Sequence, residues 1–344
     1  MKTRIAVVGA GLIGERHARA IRKSQSASLA ALVDPARQAA ALAEQLETAC
    51  FQSLDELLNT SDVDGVVLST PNQLHVSQAL ECIEAKIPVL VEKPLAVDLQ
   101  GANAIVQAGE DASVPVLTGH HRRHNPLVAK ARQMIDNGEL GQITAVQATA
   151  WFYKPHDYFD VAWRTRQGAG PVYINLIHDI DTLRHLCGEV IQVQAMESNR
   201  IRGNEVEDTC VIILRFAEGA LATLSVSDCT VSPWSWELTA RENPVYPATS
   251  ELCYQIGGTK GSLALPDLSL WQHQQKRSWW EPISATRVPF ELADPLVRQV
   301  DQFVSVIRGE QSPLVSAREG MINQQVIAAI KHSATASCLV NIEP

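Results

Sequence analysis

The sequence predicts an α/β protein in two parts: a doubly wound parallel sheet, followed by an α+β domain with a largely antiparallel sheet. Two observations support this. Short, continuously apolar runs alternate with amphipathic stretches over the first 120 residues, as in βαβ units whose sheet is covered on both faces. Beyond that point, period-two segments separated by turn signals take over. At 344 residues, two domains are expected, at 1–121 and 122–344.

The elements of the first part follow one another with parallel-sheet spacing. Strands are predicted at 5–8, 29–33, 66–69, 89–91 and 114–117, and helices between them at 15–22, 35–46, 73–85 and 99–109. Their alternation implies right-handed crossover connections within one sheet.

The second part has a different pattern of predicted helices and strands. Helices are predicted at 126–137, 172–186, 294–308 and 317–333, and strands at 143–153, 190–198, 209–216, 220–227, 235–240, 250–256 and 262–265. Residues 211–214 are apolar at every position, so both faces of that strand are expected to be covered. One face would pack on helices and the other on another subunit. Trp234 and Trp236 would share one face of a strand, in a core or a subunit interface.

Composition excludes several classes of function. The chain has 29 basic and 38 acidic residues and a net charge of -9, which disfavours binding to nucleic acid or to an anionic membrane. The first strand leaves no room for a signal peptide, and no apolar run reaches membrane-spanning length. The seven cysteines are scattered and odd in number, which favours reduced thiols in the cytoplasm over disulfides or a zinc site.

A glycine-rich loop follows the first strand directly. Gly9, Gly11 and Gly14 have the Gly-x-Gly-x-x-Gly spacing, with Leu12 and Ile13 between them, and a helical stretch follows. In this strand–loop–helix context the glycines permit a tight turn, close approach to a pyrophosphate and close helix packing. The pattern predicts a Rossmann dinucleotide-binding domain.

Asp34 supports that interpretation and indicates which dinucleotide is bound. It ends the second apolar run, 20 residues after Gly14. A carboxylate at this spacing accepts hydrogen bonds from the adenosine ribose hydroxyls and repels the additional phosphate of NADP. The sequence therefore predicts NAD as cofactor, with NADP less favoured, although the nearby Arg37 could meet a 2′-phosphate if the loop moved aside.

Lys93 is the first candidate for chemistry. It lies in Glu92-Lys93-Pro94, after a predicted parallel strand, and ligands of such sheets bind beyond the carboxyl ends of the strands. Near a cationic nicotinamide ring, its pKa is expected to be lowered, so that it can share a proton with a substrate hydroxyl. Most lysines are instead solvated surface charges.

A second candidate lies in the predicted helix at 172–186. Asn175, His178 and Asp181 are spaced by three residues and share one helix face. A histidine supported by a carboxylate is a suitable general base for removing a hydroxyl proton. Spacing alone also fits a surface His–Asp pair of little energetic value.

With these motifs the chain resembles the Gfo/Idh/MocA oxidoreductases over essentially its full length. The resemblance rests on the loop at 9–14, on Thr70-Pro71-Asn72 followed by His75, on Glu92-Lys93-Pro94 and on the 178–181 segment, in this order. The crossover segment 119–126 and Trp163-Arg164 are also similar. The family implies a Rossmann domain and a second domain with an open, mostly antiparallel sheet, through which a homodimer or homotetramer forms. It also implies NAD(P)-dependent oxidation or reduction of sugars, cyclitols and related polyols.

The resemblance also assigns roles. Lys93 and His178 become the catalytic lysine and histidine, and Asp181 a carboxylate close to both. Cofactor contacts are implied for Thr70, Pro71, Asn72, His75, Glu92, Lys93 and His121, in addition to Gly9, Gly11, Leu12, Ile13, Gly14 and Asp34. The substrate side is expected to include Lys93, Tyr153, Trp163, Arg164, Asn175 and His178, with Tyr158 and His156 nearby.

One position departs from the family pattern. Many members have an aspartate four residues before the histidine, where this chain has Ile174, with Asn175 beside it. The histidine support is therefore expected from Asn175 or Asp181, or the substrate is held differently. His120, His121 and His124 have no carboxylate or cysteine at ligand spacing, so no metal site is predicted.

Three alternatives stay open from the sequence. Some members of the family are glycosidases that oxidise and re-reduce the sugar with a bound NAD. A dehydrogenase of cyclic dihydrodiols would meet similar vicinal hydroxyls. A nucleotide-sensing regulator would need neither Lys93 nor His178, and the presence of both disfavours it.

Overall fold

The computed structural model describes residues 1–343, which form two compact units. One unit comprises Met1–Asn125 and Ala293–Gln324, and the other Pro126–Leu292 with the described residues that follow Gln324. The segment Ala293–Gln324, which the sequence prediction assigns to the second domain, thus groups with the first unit. The reason is its apolar stripe: Val300, Phe303 and Val304 are buried in the same core as the first strand. The division at 121/122 stays a prediction.

The first unit has six strands and six helices that lie wholly within it. The strands are β1 (Thr3–Val8), β2 (Ala27–Val33), β3 (Ala49–Phe51), β4 (Gly65–Leu68), β5 (Val89–Val91) and β6 (Val116–Thr118). The helices are α1 (Leu12–Lys23), α2 (Arg37–Gln45), α3 (Leu54–Thr60), α4 (Asn72–Glu84), α5 (Leu99–Ala112) and, near its end, α9 (Pro295–Ile307).

All six strands are parallel, in the order β3-β2-β1-β4-β5-β6. The strand register aligns their carboxyl ends, because Val8 pairs with both Val33 and Leu68, and Val91 pairs with Leu68 and Thr118. The order reverses between β1 and β4, which is where doubly wound sheets bind their ligands. The predicted fold class is confirmed.

The structure adds β3 and α3, which the sequence interpretation left out. The helix α3 begins with a cap that is close to a capping box. The Ser53 hydroxyl accepts from the Glu56 amide at 3.1 Å, and the Glu56 carboxylate accepts at 2.8 Å from the amide of Gln52, one residue before the N-cap. This Ser-x-x-Glu signal is visible in the sequence. The strand β3 has only three residues, too few for a periodic pattern.

The second unit contains a nine-stranded sheet. Its strands are β7 (Ile143–Trp151), β8 (Val190–Ser198), β9 (Thr209–Phe216), β10 (Leu221–Ser227), β11 (Tyr254–Gly258), β12 (Ser262–Leu265), β13 (Ser269–Gln272), β14 (Ser284–Arg287) and β15 (Val340–Asn341). Its helices are α6 (Pro126–Asp136), α7 (Ile177–Cys187), α8 (Trp236–Thr239) and the later part of α10 (Ala317–Ala336). A π-helical turn, Val172–Leu176, leads into α7.

The sheet order is β14-β13-β12-β11-β7-β10-β9-β8-β15, and every pairing except β7 with β10 is antiparallel. Helices cover one face: Ile212 and Leu214 of β9 are buried in one core with Ile180 and Leu183 of α7. The neighbouring Val211 and Ile213 are about half exposed, so the other face is open in a single chain. The mostly antiparallel α+β arrangement is therefore confirmed.

The strand predicted at 235–240 is wrong. Ser235 caps a short helix there, its hydroxyl accepting from the Leu238 amide, and α8 follows. Trp236 is buried and stacks on Tyr254 with ring centroids 5.4 Å apart, whereas Trp234 is 41% exposed. The two tryptophans do not share a strand face, because the helical turn between them sends the rings to different environments.

Two further features concern the described residues as a whole. Across residues 1–343, no helix combines the length and the apolar character needed to cross a membrane. Within the same range, no group of three or more histidine, cysteine or acidic side chains is arranged to hold a metal ion.

Candidate active site

The glycine loop has the geometry that the sequence predicts. A Cβ atom on Gly14 would lie 1.7 Å from the Gly9 carbonyl oxygen, so a larger residue there would push α1 away from the loop. At Gly11, which begins α1, an added Cβ would meet nothing within 4 Å. The loop is therefore tight against the sheet and open on its outer side, where the amides at the start of α1 can receive a phosphate.

Asp34 follows β2 at the same edge of the sheet. One carboxylate oxygen accepts from the Ala10 amide at 2.8 Å, and the other accepts from the Ala36 amide at 2.8 Å. These bonds fix the carboxylate beside the glycine loop. Each oxygen keeps a second acceptor position. Two ribose hydroxyls could use them.

A cleft of about 840 Å³ opens at this edge. It is lined by Gly9, Gly11, Asp34, Thr70 and Pro71, among others. The volume lies within the range of about 300–1,000 Å³ that is common for ligand pockets. Predicted cofactor contacts thus come together here, and the glycine loop, the fixed carboxylate and the cleft fit the adenosine and pyrophosphate portions of NAD.

His75 is placed differently from the other predicted cofactor contacts. It is fully buried in α4, and its two ring nitrogens lie 3.0 Å from the Pro94 carbonyl oxygen and 2.9 Å from that of Thr70. Its ring thereby joins the turn after β4 to the turn after β5. We expect His75 to act on the cofactor site through these turns rather than by touching the dinucleotide.

Glu92 directly follows β5 and has a partner that sequence analysis missed. Its Oε1 lies 2.7 Å from Nε2 of His17, a fully buried side chain of α1, and its Oε2 accepts from the Lys93 amide at 3.1 Å. Burial raises the pKa of Glu92, but the His17 hydrogen bond and the charges of His17, Lys93 and His121 lower it to about 2. Glu92 is therefore a fixed anion beside Lys93.

Lys93 and His121 extend the same edge of the sheet. Lys93 follows Glu92 and is partly buried, and its charge is one of those that lower the Glu92 pKa. His121 opens the short 3-10 turn His121–His124 after β6, and its charge acts on Glu92 as well. The first unit therefore gathers Glu92, Lys93 and His121 where the cofactor contacts were predicted.

The other predicted catalytic residues lie on α7 of the second unit. His178 is 8% exposed and Asp181 fully buried, in a helix of which almost every residue is buried. This placement disfavours the surface His–Asp pair that spacing alone permits. Ionisable groups are costly to bury, so their presence indicates a functional or structural requirement.

Asn175 lies in the π-helical turn before α7. Its side-chain oxygen is buried and accepts no hydrogen bond from any residue that the structure describes. A buried acceptor of this kind is available to a ligand. Asp179, on the same segment, is instead bound by the Tyr254 hydroxyl, which ties α7 to β11.

The aromatic and arginine residues predicted on the substrate side lie on the segment after β7. Tyr153 and Trp163 are exposed, and the Arg164 guanidinium lies 4.1 Å from the Tyr158 ring centre and donates to the Tyr158 carbonyl at 2.8 Å. Exposed aromatic rings and a fixed guanidinium are suited to sugar faces and hydroxyls.

A buried ionic cluster supports this segment, and the sequence analysis did not anticipate it. Arg202 pairs with Asp228 at 3.0 Å, donates to the Lys154 carbonyl at 2.7 Å and lies 4.5 Å from the Phe159 ring centre. Asp208 holds the Arg202 backbone amide at 3.0 Å. The cluster joins residues far apart in the sequence, so no local motif predicts it.

Comparison with known proteins agrees with these features. Residues 3–120 match a family described as "Oxidoreductase family, NAD-binding Rossmann fold", and residues 128–264 match the "GFO/IDH/MocA C-terminal domain". In solved structures, the chain is similar to the WlbA dehydrogenase from Bordetella pertussis in complex with NADH and UDP-GlcNAcA. That likeness has a TM-score of 0.80 and 26% identity, and covers 100% of both chains.

Two characterised relatives show the range of the family. The chain is 29% identical over 269 residues to the 2,7-anhydro-N-acetylneuraminate hydratase of Escherichia coli (strain K12), covering 75% of this chain and 66% of that protein. It is 27% identical over 289 residues to the 1,5-anhydro-D-fructose reductase of Ensifer adhaerens, covering 82% and 81%. With the glycine loop, the fixed Asp34 and the Glu92–Lys93 strand end, these matches show that the chain belongs to the GFO/IDH/MocA oxidoreductase family, with an NAD-binding Rossmann domain.

Proposed function

We propose that the protein is an NAD-dependent dehydrogenase or reductase that moves a hydride between the nicotinamide and a hydroxyl-bearing carbon of a sugar, cyclitol or related polyol. The observation that carries the proposal is the burial of His178 and Asp181 together on α7, with Asn175 one turn earlier. The named activities of the relatives, a reductase of an anhydro sugar and a dehydrogenase crystallised with a sugar nucleotide, support a carbohydrate substrate.

In the proposed mechanism, His178 acts as the general base that takes the proton of the substrate hydroxyl. Lys93 donates a hydrogen bond to the same oxygen and stabilises its developing charge, and Asp181 orients His178 and balances its positive charge. The Glu92 anion lies beside Lys93 at the end of β5. The bound dinucleotide supplies the hydride chemistry that side chains lack. Asn175 replaces the support that Ile174 cannot give.

The test is the absorbance of reduced nicotinamide with NAD and NADP and a panel of inositols, aldoses, sugar acids and dihydrodiols. We expect one substrate class to reduce NAD in preference to NADP. Lys93→Ala and His178→Asn should each lower kcat by about 100-fold or more, the scale of a lost acid–base group. Lys276→Ala, at an exposed lysine, is the matched control. Full activity in Lys93→Ala would refute its role.

A second candidate is a reaction without net oxidation, such as redox-assisted glycoside cleavage. The likeness to a protein named a hydratase favours it, because hydration changes no net oxidation state. The same site would serve if the hydride taken from the substrate were returned to it. Nucleotide that stays bound through purification, together with cleavage of a glycoside and no net NADH, would support this candidate. A dihydrodiol substrate would be revealed by the panel.

We infer further that the protein forms a homodimer or homotetramer through the open sheet face, which exposes Val211, Ile213 and Leu221 by about half. A cytoplasmic location is part of the same proposal, supported by seven free thiols. The acidic net charge of -9 argues against nucleic-acid or membrane partners.

A further inference from the structure

Glu207 lies two residues before β9, and its carboxyl group is fully buried. Its Oε1 accepts a hydrogen bond of 2.9 Å from the backbone amide of Val172. Val172 is the first residue of the π-helical turn that leads into α7. Amides at the start of a helical segment have no partner inside it, so the carboxylate fills a position that would otherwise be empty.

Gly170 makes this contact possible. A Cβ atom at this position would lie 2.5 Å from Oε1 of Glu207, so the carboxylate occupies the space that a side chain would take. Gly170 also has a φ of +84°, a backbone conformation that favours glycine. The chain is therefore shaped to admit the Glu207 carboxylate at the start of the segment.

The second oxygen of Glu207 is held independently. Lys331 of α10 approaches Oε2 of Glu207 at 2.6 Å and Oε2 of Glu197 at 2.5 Å. Burial raises the pKa of Glu207, and the Lys331 charge and hydrogen bond oppose that rise. One oxygen thus binds the lysine while the other stays directed at Val172. Glu197 shares the lysine, and among the described residues no hydrogen bond joins it to the π-helical turn; its charge acts on the turn only at a distance, as one of the causes that raise the pKa of Tyr173.

The anchored turn immediately precedes the proposed catalytic residues. Asn175 is the fourth residue of the π-helical turn, and His178 is the second residue of α7. A π-helical turn is wider than an α-helical one and is uncommon outside functional sites. If its first amide were released, the turn could relax toward α geometry, and the side chains of Asn175 and His178 would change direction together.

We propose that Glu207 is a positioning residue: by binding the Val172 amide it sets the register of the π-helical turn and the direction of the His178 imidazole. The inference rests on the proposed function of His178. It assigns Glu207 no contact with substrate or cofactor. Because misplacement of a catalytic group by about 1 Å can cost 100-fold in rate, such an anchor matters for turnover.

The test compares three substitutions at Glu207 with one control in the full-length protein. Glu207→Ala removes the acceptor, Glu207→Asp keeps the charge but shortens the reach to Val172, and Glu207→Gln keeps an acceptor oxygen. Glu197→Gln alters the other carboxylate on Lys331. We expect kcat to fall about 100-fold in Glu207→Ala and Glu207→Asp. In Glu207→Gln and in the control Glu197→Gln it should fall by less than about 10-fold. The Kd for NAD should be unchanged in all four.

Amide hydrogen exchange supplies a readout that does not depend on activity. Exchange at 172–181 should quicken in Glu207→Ala and Glu207→Asp and stay at the wild-type rate in Glu197→Gln. If the Glu207→Ala variant does not fold, the Glu207→Asp variant alone tests the role of Glu207. A wild-type kcat in the Glu207→Asp variant would overturn the inference. So would an equal loss of kcat in the Glu207→Asp and Glu197→Gln variants. If the wild-type protein turns over no substrate of the panel, the proposed function fails. Unchanged amide exchange in the Glu207→Asp variant would separately refute the role of Glu207 in holding the Val172 amide.

Discussion

At the residue scale, the most informative contact is the one between His17 and Glu92. The two residues are 75 positions apart, yet the imidazole Nε2 lies 2.7 Å from the carboxylate, and His17 is fully buried. This contact connects the helix after the glycine loop to the strand end that carries Lys93. A buried carboxylate with two hydrogen bonds stays ionised where a solitary one would take up a proton.

The contact predicts a specific effect on stability. His17→Leu removes the donor while leaving Glu92 buried, and should lower the free energy of unfolding by about 1–3 kcal/mol at neutral pH. Glu15→Gln, which breaks an exposed pair with Arg19 one turn away, is the control and should cost less than about 0.5 kcal/mol. Urea denaturation measures both. Equal, small changes would show that the buried contact contributes nothing.

The pH dependence follows from the lowered pKa of Glu92. Its pKa falls from 4.5 to about 2, so its contribution to stability is fully present above pH 4.5 and is lost as pH falls toward 2. In His17→Leu the folded-state pKa of Glu92 should rise toward or above 4.5, so the loss of stability between pH 4.5 and 2 should shrink or reverse. Denaturation of both proteins between neutral pH and pH 3 tests this. Parallel stability curves would contradict the assignment.

At the element scale, α8 shows how a local cap overrides a strand-like pattern. Alternating tryptophans at 234 and 236 resemble a strand with one apolar face, but Ser235 accepts from the Leu238 amide and starts a helix. Trp236 then stacks on Tyr254, whose hydroxyl donates to Asp179 of α7. The short helix thereby supports the strand that braces the proposed catalytic helix.

The two tryptophans should therefore respond differently to truncation. Trp236→Ala removes a ring that is 1% exposed and should cost about 3–5 kcal/mol of unfolding free energy. Trp234→Ala removes a ring that is 41% exposed and should cost about 1 kcal/mol or less. Thermal and denaturant unfolding of the pair compare them directly. A similar cost for both would indicate that they share one environment after all.

At the scale of the whole molecule, the second unit's sheet leaves one apolar face uncovered. Val211 and Ile213 of β9 and Leu221 of β10 are each about half exposed, and Met196 of β8 is 73% exposed. Monomeric proteins seldom expose contiguous apolar surface of this kind. This is the physical argument for the proposed association through the sheet.

Charged substitutions on that face should separate the subunits. Val211→Lys combined with Ile213→Lys is expected to convert the assembly to monomers, because unpaired like charges cannot be buried together in an apolar interface. Val245→Lys, at an exposed valine outside the strands, is the matched control. Light scattering after size-exclusion chromatography gives the mass, and circular dichroism checks folding. An unchanged mass in the double variant would place any interface elsewhere.

Much of the first unit could be predicted from the sequence because its signals are local. The glycine loop, Asp34 and Glu92-Lys93-Pro94 each follow an apolar run directly, and parallel strands bring such positions to one edge. The second unit offered weaker signals. The strands β13, β14 and β15 were not predicted, since they are two to four residues long and depend on pairing with distant strands.

The sequence by itself determined most strands and helices of the first unit, though not β3 or α3, together with the dinucleotide loop and the candidates Lys93 and His178. Residue type and spacing within a few positions are enough to indicate these features. Only the tertiary structure decided that His17 holds Glu92, that Glu207 holds the Val172 amide, and that Asp181 is buried rather than on a surface. Those contacts join residues that are far apart along the chain, and burial depends on what packs against a helix. Neither a long-range contact nor the burial of a side chain can be inferred from the residues next to it in the sequence.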